Sequence, residues 1–415
     1  MYETIDIINA LPEMKTGNEL ISDLTILPNY YKDICNENAS VRLMALSNLY
    51  KIYLPSKMSL EIYSKLYLSL VHSLQKKSTS LAIQQRNQNY KAIRQQEYNS
   101  IIGGSDSFTI IGTSGIGKSS AINHAIELIT RNGIIEIDRP CIKIIPCIVV
   151  QCPFDSSVKG LLLEILRKVD ECLNSKYYQN ALKIRATIDM LIGSVSQVAL
   201  NHIGLLIVDE IQNVVNNKNG KSLVGCLTQL INNSGISICM VGTPESSTFF
   251  EQAMQLARRS LGLQYNVMEY NQFFYDCCTT LFSFQYVKNQ TEITDSIIEW
   301  LYEHSSGVIS VIVSLIHDAQ EIAILNGKEI LNLETLNEAY KQRLSMLHGY
   351  IEPQIIHKKQ TSTTRKKSPI VPNTTKCIQS NTECSIVELS TKAKNENLDI
   401  VQLLKESMTI IEVSI

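Results

Sequence analysis

Between Ser40 and Glu97 apolar residues recur three and four positions apart, the spacing of one buried helical face. The stretches are SVRLMALSNLYKIYL, SLEIYSKLYLSLVHSL and SLAIQQRNQNYKAIRQQEY, separated by Pro55 and by KKSTS. After GGSD the pattern changes to short unbroken apolar runs: FTIIG, CIKIIPCIVVQC, GLLIVDE and GISICMVGT. Each reads as a strand buried on both sides, and helical stretches such as SSAINHAIELI lie between them. Strands alternating with helices predict a parallel sheet covered on both faces. From NQFFYDCCTTLFSFQYV to about Leu347 only helical patterns return, among them TDSIIEWLYEHSSG and NLETLNEAYKQRLSMLHGYI.

The remaining stretch is different in kind. Residues 354–376 carry Lys358, Lys359, Arg365, Lys366, Lys367 and Lys376, two prolines and no acid, the composition of a flexible basic linker. A short apolar pattern, LDIVQLLKESMTIIEV, follows and reads as a docking helix. The expected organisation is a helical region over 1–97, an α/β core over 98–267, and a second helical region over 268–350. A basic linker over 351–395 and a tail over 396–415 complete it. No internal repeat interrupts this plan.

Composition narrows the picture. Hydrophobic residues make up 44% and charged residues 19% of 415, ordinary for a globular chain able to bury a sizeable core. A formal charge of −2 gives no bulk attraction to nucleic acid, so any basic surface must be local. The 11 cysteines contain no CxxC and the 7 histidines no HxxxH or HExxH, which argues against zinc and for small core thiols in a reducing cytosol. MYETIDIINALPEMKTGNEL has no basic start followed by an apolar run, and no apolar stretch approaches the ~20 residues that span a bilayer. The expectation is a cytoplasmic protein without a membrane partner.

The clearest chemistry lies at the first strand-to-helix junction. Gly112, Thr113, Ser114, Gly115, Ile116, Gly117, Lys118 and Ser119 spell GxxxxGK[ST] in full, after a strand and before a helix. The glycines permit a tight loop whose N–H groups face phosphate oxygens at the positive end of a helix, and Ser120 continues the set on that helix. Lys118 is expected to reach the β- and γ-phosphates of ATP, and Ser119 to give its hydroxyl to Mg²⁺. GLLIVDE adds Asp209 for the Mg²⁺ shell and Glu210 to orient and polarise an attacking water. Thr243, at the tip of GISICMVGT, is a candidate for hydrogen bonding to the γ-phosphate or that water. Arg258 and Arg259, in QLARRSLG, stand side by side with no carboxylate between Glu251 and Glu269. Two adjacent guanidiniums need anionic partners if buried, or else form a solvated basic helix end.

Taken in order, GTSGIGKS, IVDEIQN, MVGTPE and LARRS resemble AAA+ ATPases of the TnsC/TniB type, which regulate DNA transposition. FFYDCCTTLFSFQYV and LYEHSSGVISVIVSLIHDAQEIAILNG also look like the lid of TnsC, so the resemblance covers roughly residues 85–350. It implies an AAA+ P-loop core with a parallel five-stranded sheet flanked by helices, a helical lid and an N-terminal helical extension. It further implies a homo-oligomer, a ring or a helical filament, with ATP between neighbouring subunits. Arg258 or Arg259 then acts on the γ-phosphate held by the next subunit, and spacing does not choose between them. Double-stranded DNA contact falls, by the same resemblance, after the second strand at Lys159, with Lys183 and Arg185 as further candidates. Such contacts to phosphate are salt-sensitive and nearly independent of sequence.

The resemblance implies a regulatory ATPase that assembles on target DNA, recruits and activates a transposase, and disassembles on hydrolysis. By the same analogy the tail meets the transposase and the N-terminal helices a target-selection protein. One departure stands out: where many AAA+ lids carry an arginine in a GxxR context, SSGVISVIVSL has no basic residue. That implies weak lid coupling and slow hydrolysis, which suit a switch better than a motor. Two other readings share the nucleotide site. One is a replication initiator or helicase loader, which calls for a DNA-reading module after the lid. The other is a signalling NTPase in which nucleotide clamps protein partners.

Overall fold

Alternate residues of the apolar runs face opposite sides of one sheet. The computed structural model describes residues 10–77, 79–93, 107–131, 133–137, 142–215, 217–247 and 262–344. The strands are β1 (Phe108–Gly112), β2 (Ile135–Ile137), β3 (Ile142–Gln151), β4 (Ile203–Asp209), β5 (Ser237–Gly242) and β6 (Leu263–Tyr265), in the order β2-β3-β4-β5-β1-β6. Every neighbouring pair is parallel except β2 and β3. The five parallel strands expected of an AAA+ core are present, and the short antiparallel β2 adds a sixth at the edge.

Helices α1 (Gly17–Leu24), α2 (Ala39–Ala45), α3 (Lys57–Lys77) and α4 (Ser80–Ile93) precede β1. Helices α5 (Lys118–Ile129), α6 (Val158–Leu173), α7 (Tyr177–Lys183), α8 (Ile188–His202) and α9 (Gly220–Ser234) alternate with the strands. The lid comprises α10 (Gln272–Ser283), α11 (Asp295–Ser305), α12 (Ile309–Leu325) and α13 (Leu333–Arg343).

The two-residue period of the strands sorts the core. Leu206, Val208, Ile238 and Met240 pack with α6, α8 and α9 on one face. Their neighbours Leu205, Ile207, Cys239 and Val241 pack with α3 and α5 on the other. Thus α3 covers the sheet, presenting Ile62, Leu66, Leu70 and Leu74, all without solvent exposure. These sit four residues apart along one helical stripe. Truncating Leu66 to alanine there would cost about 2–5 kcal/mol. At the end of α3 the buried Lys77 ammonium donates to the carbonyls of Ala199 and Ile203, closing the C-terminus of α8.

SVRLMALSNLYKIYL is not one continuous helix. It is α-helical through Ala45 and then tightens to a 3₁₀ turn over Leu46–Lys51. With three residues per turn, Leu46 and Leu49 fall on one side, and both are buried in the apolar cluster of the lid. Arg42, 1% exposed, makes a two-pronged pair with Glu329 at 2.6 and 2.7 Å. It also donates to the carbonyls of Glu37 and Tyr286. Residues around α2 are therefore fastened to the lid, while α3 belongs to the sheet. The linker and tail expected beyond residue 350 lie outside the described residues.

Candidate nucleotide-binding site

The glycine-rich loop leaves β1 at its carboxyl end and enters α5. Gly115 (φ 82°) and Gly117 (φ 93°) both adopt the left-handed backbone that a side chain resists, and Gly117 caps α5. This opens the first-turn N–H groups of α5 toward an anion. The Lys118 ammonium folds back onto the loop, donating to the carbonyls of Gly112 (2.6 Å) and Thr113 (2.9 Å). Burial pulls this ammonium below the usual lysine range, opposed by the negative charges of Asp209, Glu210 and Glu245.

The acidic end of β4 meets the start of α5. Ser119 Oγ donates to Asp209 Oδ2 at 3.2 Å, joining the two residues expected to ligate Mg²⁺. A hydroxyl and a carboxylate oxygen this close form a hard-oxygen donor pair, which fits a magnesium ion carrying waters and phosphate oxygens. Glu210 follows in the left-handed region (φ 57°), a strained position for a side-chain-bearing residue. Its N–H donates to Asp209 Oδ1 at 2.8 Å, and its exposed carboxylate accepts from Gln212 Nε2. The other amide atom, Gln212 Oε1, is buried and has no partner among the described residues.

Thr243 sits one residue past β5, next to β1, where Gly242 is in register with Ile111. Its hydroxyl bonds to the Glu245 carboxylate and holds that acid below the usual range, helped by the backbone N–H of Glu245. Ser114 through Ser120, Asp209, Glu210, Gln212 and Thr243 line one cavity of about 870 Å³. Gly112 and Thr113 lie just outside it as the acceptors of Lys118. Among its other walls, not expected from the sequence, are Ile52, Tyr53, Leu54 and Met58, together with Phe273, Cys277 and Leu281. They provide the apolar half of a nucleotide-sized pocket. The break at Pro55 was visible in the pattern, but no periodicity marks a loop as a pocket wall.

Arg258 and Arg259 fall within 248–261, outside the described residues. Lys159 is exposed in the first turn of α6, whose N-cap Ser157 accepts from Gly160 N. The loop before it is laced to the segment after Glu210. Asn213 Nδ2 donates to the Cys152 carbonyl, Ser156 Oγ to the Asn213 carbonyl, and Asn217 Nδ2 to the Phe154 carbonyl. Lys183 ends α7, and Arg185 follows with φ 50°; both are exposed. No described hydrogen bond or ion pair brings either side chain to Lys159 or to the cavity. Among the described residues no helix is long and apolar enough to cross a membrane.

Residues 96–265 match the model of the family described as bacterial TniB protein. No curated protein matches the chain. Among solved structures, it resembles the Aeropyrum pernix ORC1 protein in complex with DNA. That match has 15% identity and a TM-score of 0.42, covering 63% of this chain and 64% of that one. The chain thus spans less than two thirds of that relative's length. It also resembles Drosophila ORC bound to DNA at 11% identity and a TM-score of 0.45, covering 96% of this chain and 83% of the other.

Proposed function

With residues 96–265 matching the TniB family as the premise, we propose that this chain is an AAA+ ATPase that regulates DNA transposition. It assembles on double-stranded DNA with ATP bound, recruits and activates a transposase, and leaves when ATP is hydrolysed. The observation that carries the reading is the meeting of Ser119 and Asp209 at 3.2 Å beside Lys118 and Glu210.

Each residue has a chemical task in this reading. The N–H groups from Gly115 to Ser119 bind phosphate oxygens, and Lys118 exchanges its loop carbonyls for the β- and γ-phosphates. Ser119 and Asp209 hold Mg²⁺, which when bound offsets charge on the phosphate oxygens. Glu210, steered by Gln212, orients and polarises the attacking water, and Thr243 releases Glu245 to bond near the γ-phosphate. Arg258 or Arg259 of a neighbouring subunit stabilises charge that develops during transfer. Oligomerisation then belongs to the chemistry, because one subunit alone lacks that cation.

Lys159 contacts the DNA backbone, with Lys183 and Arg185 as secondary contacts. The hydrogen bonds from Asn213 and Asn217 to the loop before Lys159 support a link between Glu210 and that contact. The N-terminal helices and the tail beyond 395 are assigned to a target-selection protein and the transposase. The test is ATP turnover by the purified chain with and without duplex DNA, beside Lys118→Ala. Turnover by the wild type, stimulated by DNA and absent from the variant, is expected. Equal turnover by both proteins would remove the assignment.

A further inference from the structure

Helix α12 begins directly on the phosphate loop. Ser310 N donates to the Gly115 carbonyl at 3.2 Å, an approach possible because Gly115 has no side chain. A Cβ there would lie 2.4 Å from Ser310 Oγ and 2.9 Å from Val308 Cγ1. The turn before α12 is held from the other side as well. Met268 N donates to the Gly307 carbonyl at 3.0 Å, and a Cβ on Gly307 would come within 2.1 Å of the Met268 carbonyl oxygen. The start of α12 is thus clamped between the exit from β6 and the phosphate loop.

Among the described residues, no cation of the lid shares this duty. From α12 the cavity receives Ile309, Ser310, Val313 and Ser314, none of them ionisable. Among the described residues, Lys57 and Lys118 are the only cations that line it, and neither belongs to the lid.

We propose that Ser310 is a positioning residue of the nucleotide site, coupling lid and phosphate loop through its main-chain N–H instead of a side-chain cation. The inference rests on the reading of this cavity as an ATP site. The peptide unit is planar, so the bond that fixes the Gly115 carbonyl also fixes the N–H of Ile116. Ile116 lies in the middle of the phosphate loop, and its N–H is one of the donors available to phosphate. Displacing the lid releases that plane, and ordering the plane by nucleotide favours the docked lid. Such coupling is reciprocal. A neutral hydrogen bond limits it to about threefold to tenfold in affinity, a modest gain suited to a switch. The same lid body carries Leu46, Leu49 and, through Glu329, Arg42. The nucleotide state is thereby transmitted to the residues around α2.

The experiment compares the full chain with Ser310→Ala, which keeps the N–H, and Ser310→Pro, which removes it in the first helical turn, where an N–H is not needed by the helix. ADP and a slowly hydrolysed ATP analogue are titrated, and amide hydrogen exchange is followed over 113–120 and 308–315. Ser310→Ala should bind within about twofold of wild type, and Ser310→Pro about threefold to tenfold more weakly. At saturation the proline variant should keep protection in 113–120 while 308–315 stops responding to nucleotide. Equal affinity for both variants, with α12 still protected, overturns the proposal. If the proline variant does not fold, wild-type exchange decides: protection of 113–120 with no change in 308–315 also overturns it. Absence of nucleotide binding by the wild type is a separate result, which removes the underlying ATP-site reading.

Discussion

Replacing Arg42 with methionine keeps much of the side-chain volume but deletes the guanidinium of a buried joint. Four hydrogen bonds disappear: two to Glu329, and one each to the carbonyls of Glu37 and Tyr286. Glu329, with its side chain only 15% exposed, is left with one donor, the N–H of Lys288 at 3.2 Å. Removing one partner of a buried ion pair costs about 3–5 kcal/mol, because the other charge stays behind without compensation. Trp300, the single tryptophan, lies in α11 within the lid cluster, so its fluorescence in a urea titration reads this body directly. Arg42→Met should lower lid stability by about 3–5 kcal/mol. The double variant Arg42→Met with Glu329→Gln should recover at least about 2 kcal/mol of that loss, since no isolated charge remains. A loss below about 1 kcal/mol, the level of a surface pair, or strict additivity of the single variants, refutes the claim that this pair fastens α2 to the lid.

Three further outcomes are expected. The Arg42 guanidinium holds the Glu329 carboxyl below its usual value of 4.5, so its stabilisation is full above that pH and is lost as pH falls through the depressed folded value. Lid stability should decline in that acid window, and the decline should shrink in Glu329→Gln; an unchanged acid profile in that variant contradicts the assignment. Glu210→Gln should retain ATP binding and lengthen the life of DNA-bound oligomers, and rapid turnover by it would refute the role given to Glu210. Arg258→Ala/Arg259→Ala should bind nucleotide without turning it over, and mixing it with Lys118→Ala should partly restore turnover. If no mixture regains activity, the shared site loses its main support.

What could be read in the sequence was what is local. The apolar runs ending in Gly112, Asp209 and Gly242 became adjacent parallel strands because their continuous burial demands cover on both faces. The glycine-rich loop between β1 and α5 was legible because glycine spacing and strand-to-helix context lie within one short stretch. β2 was missed because three residues of IEI hold too little pattern to separate a strand from a loop. Nothing local marks Arg42 for a buried pair; its partner lies 287 residues away, beyond any periodicity. The same applies to Ser310. Its hydroxyl side chain announced only a missing arginine, whereas the contact with Gly115 is made by backbone and leaves no mark on composition. The helical reading of Leu46–Lys51 failed for a related reason, since leucines three apart satisfy both an α-helix and a 3₁₀ turn.

The central claim is that nucleotide governs assembly on DNA, and sedimentation velocity with a labelled duplex tests it most directly. The chain is run at low salt with ATP, with ADP and without nucleotide. With ATP the label should move in a large multi-subunit species that weakens steeply as salt rises and disperses as ATP is consumed. With ADP or no nucleotide the duplex should sediment close to free DNA. A duplex that stays free in ATP, or one bound equally in all three conditions, would contradict the account.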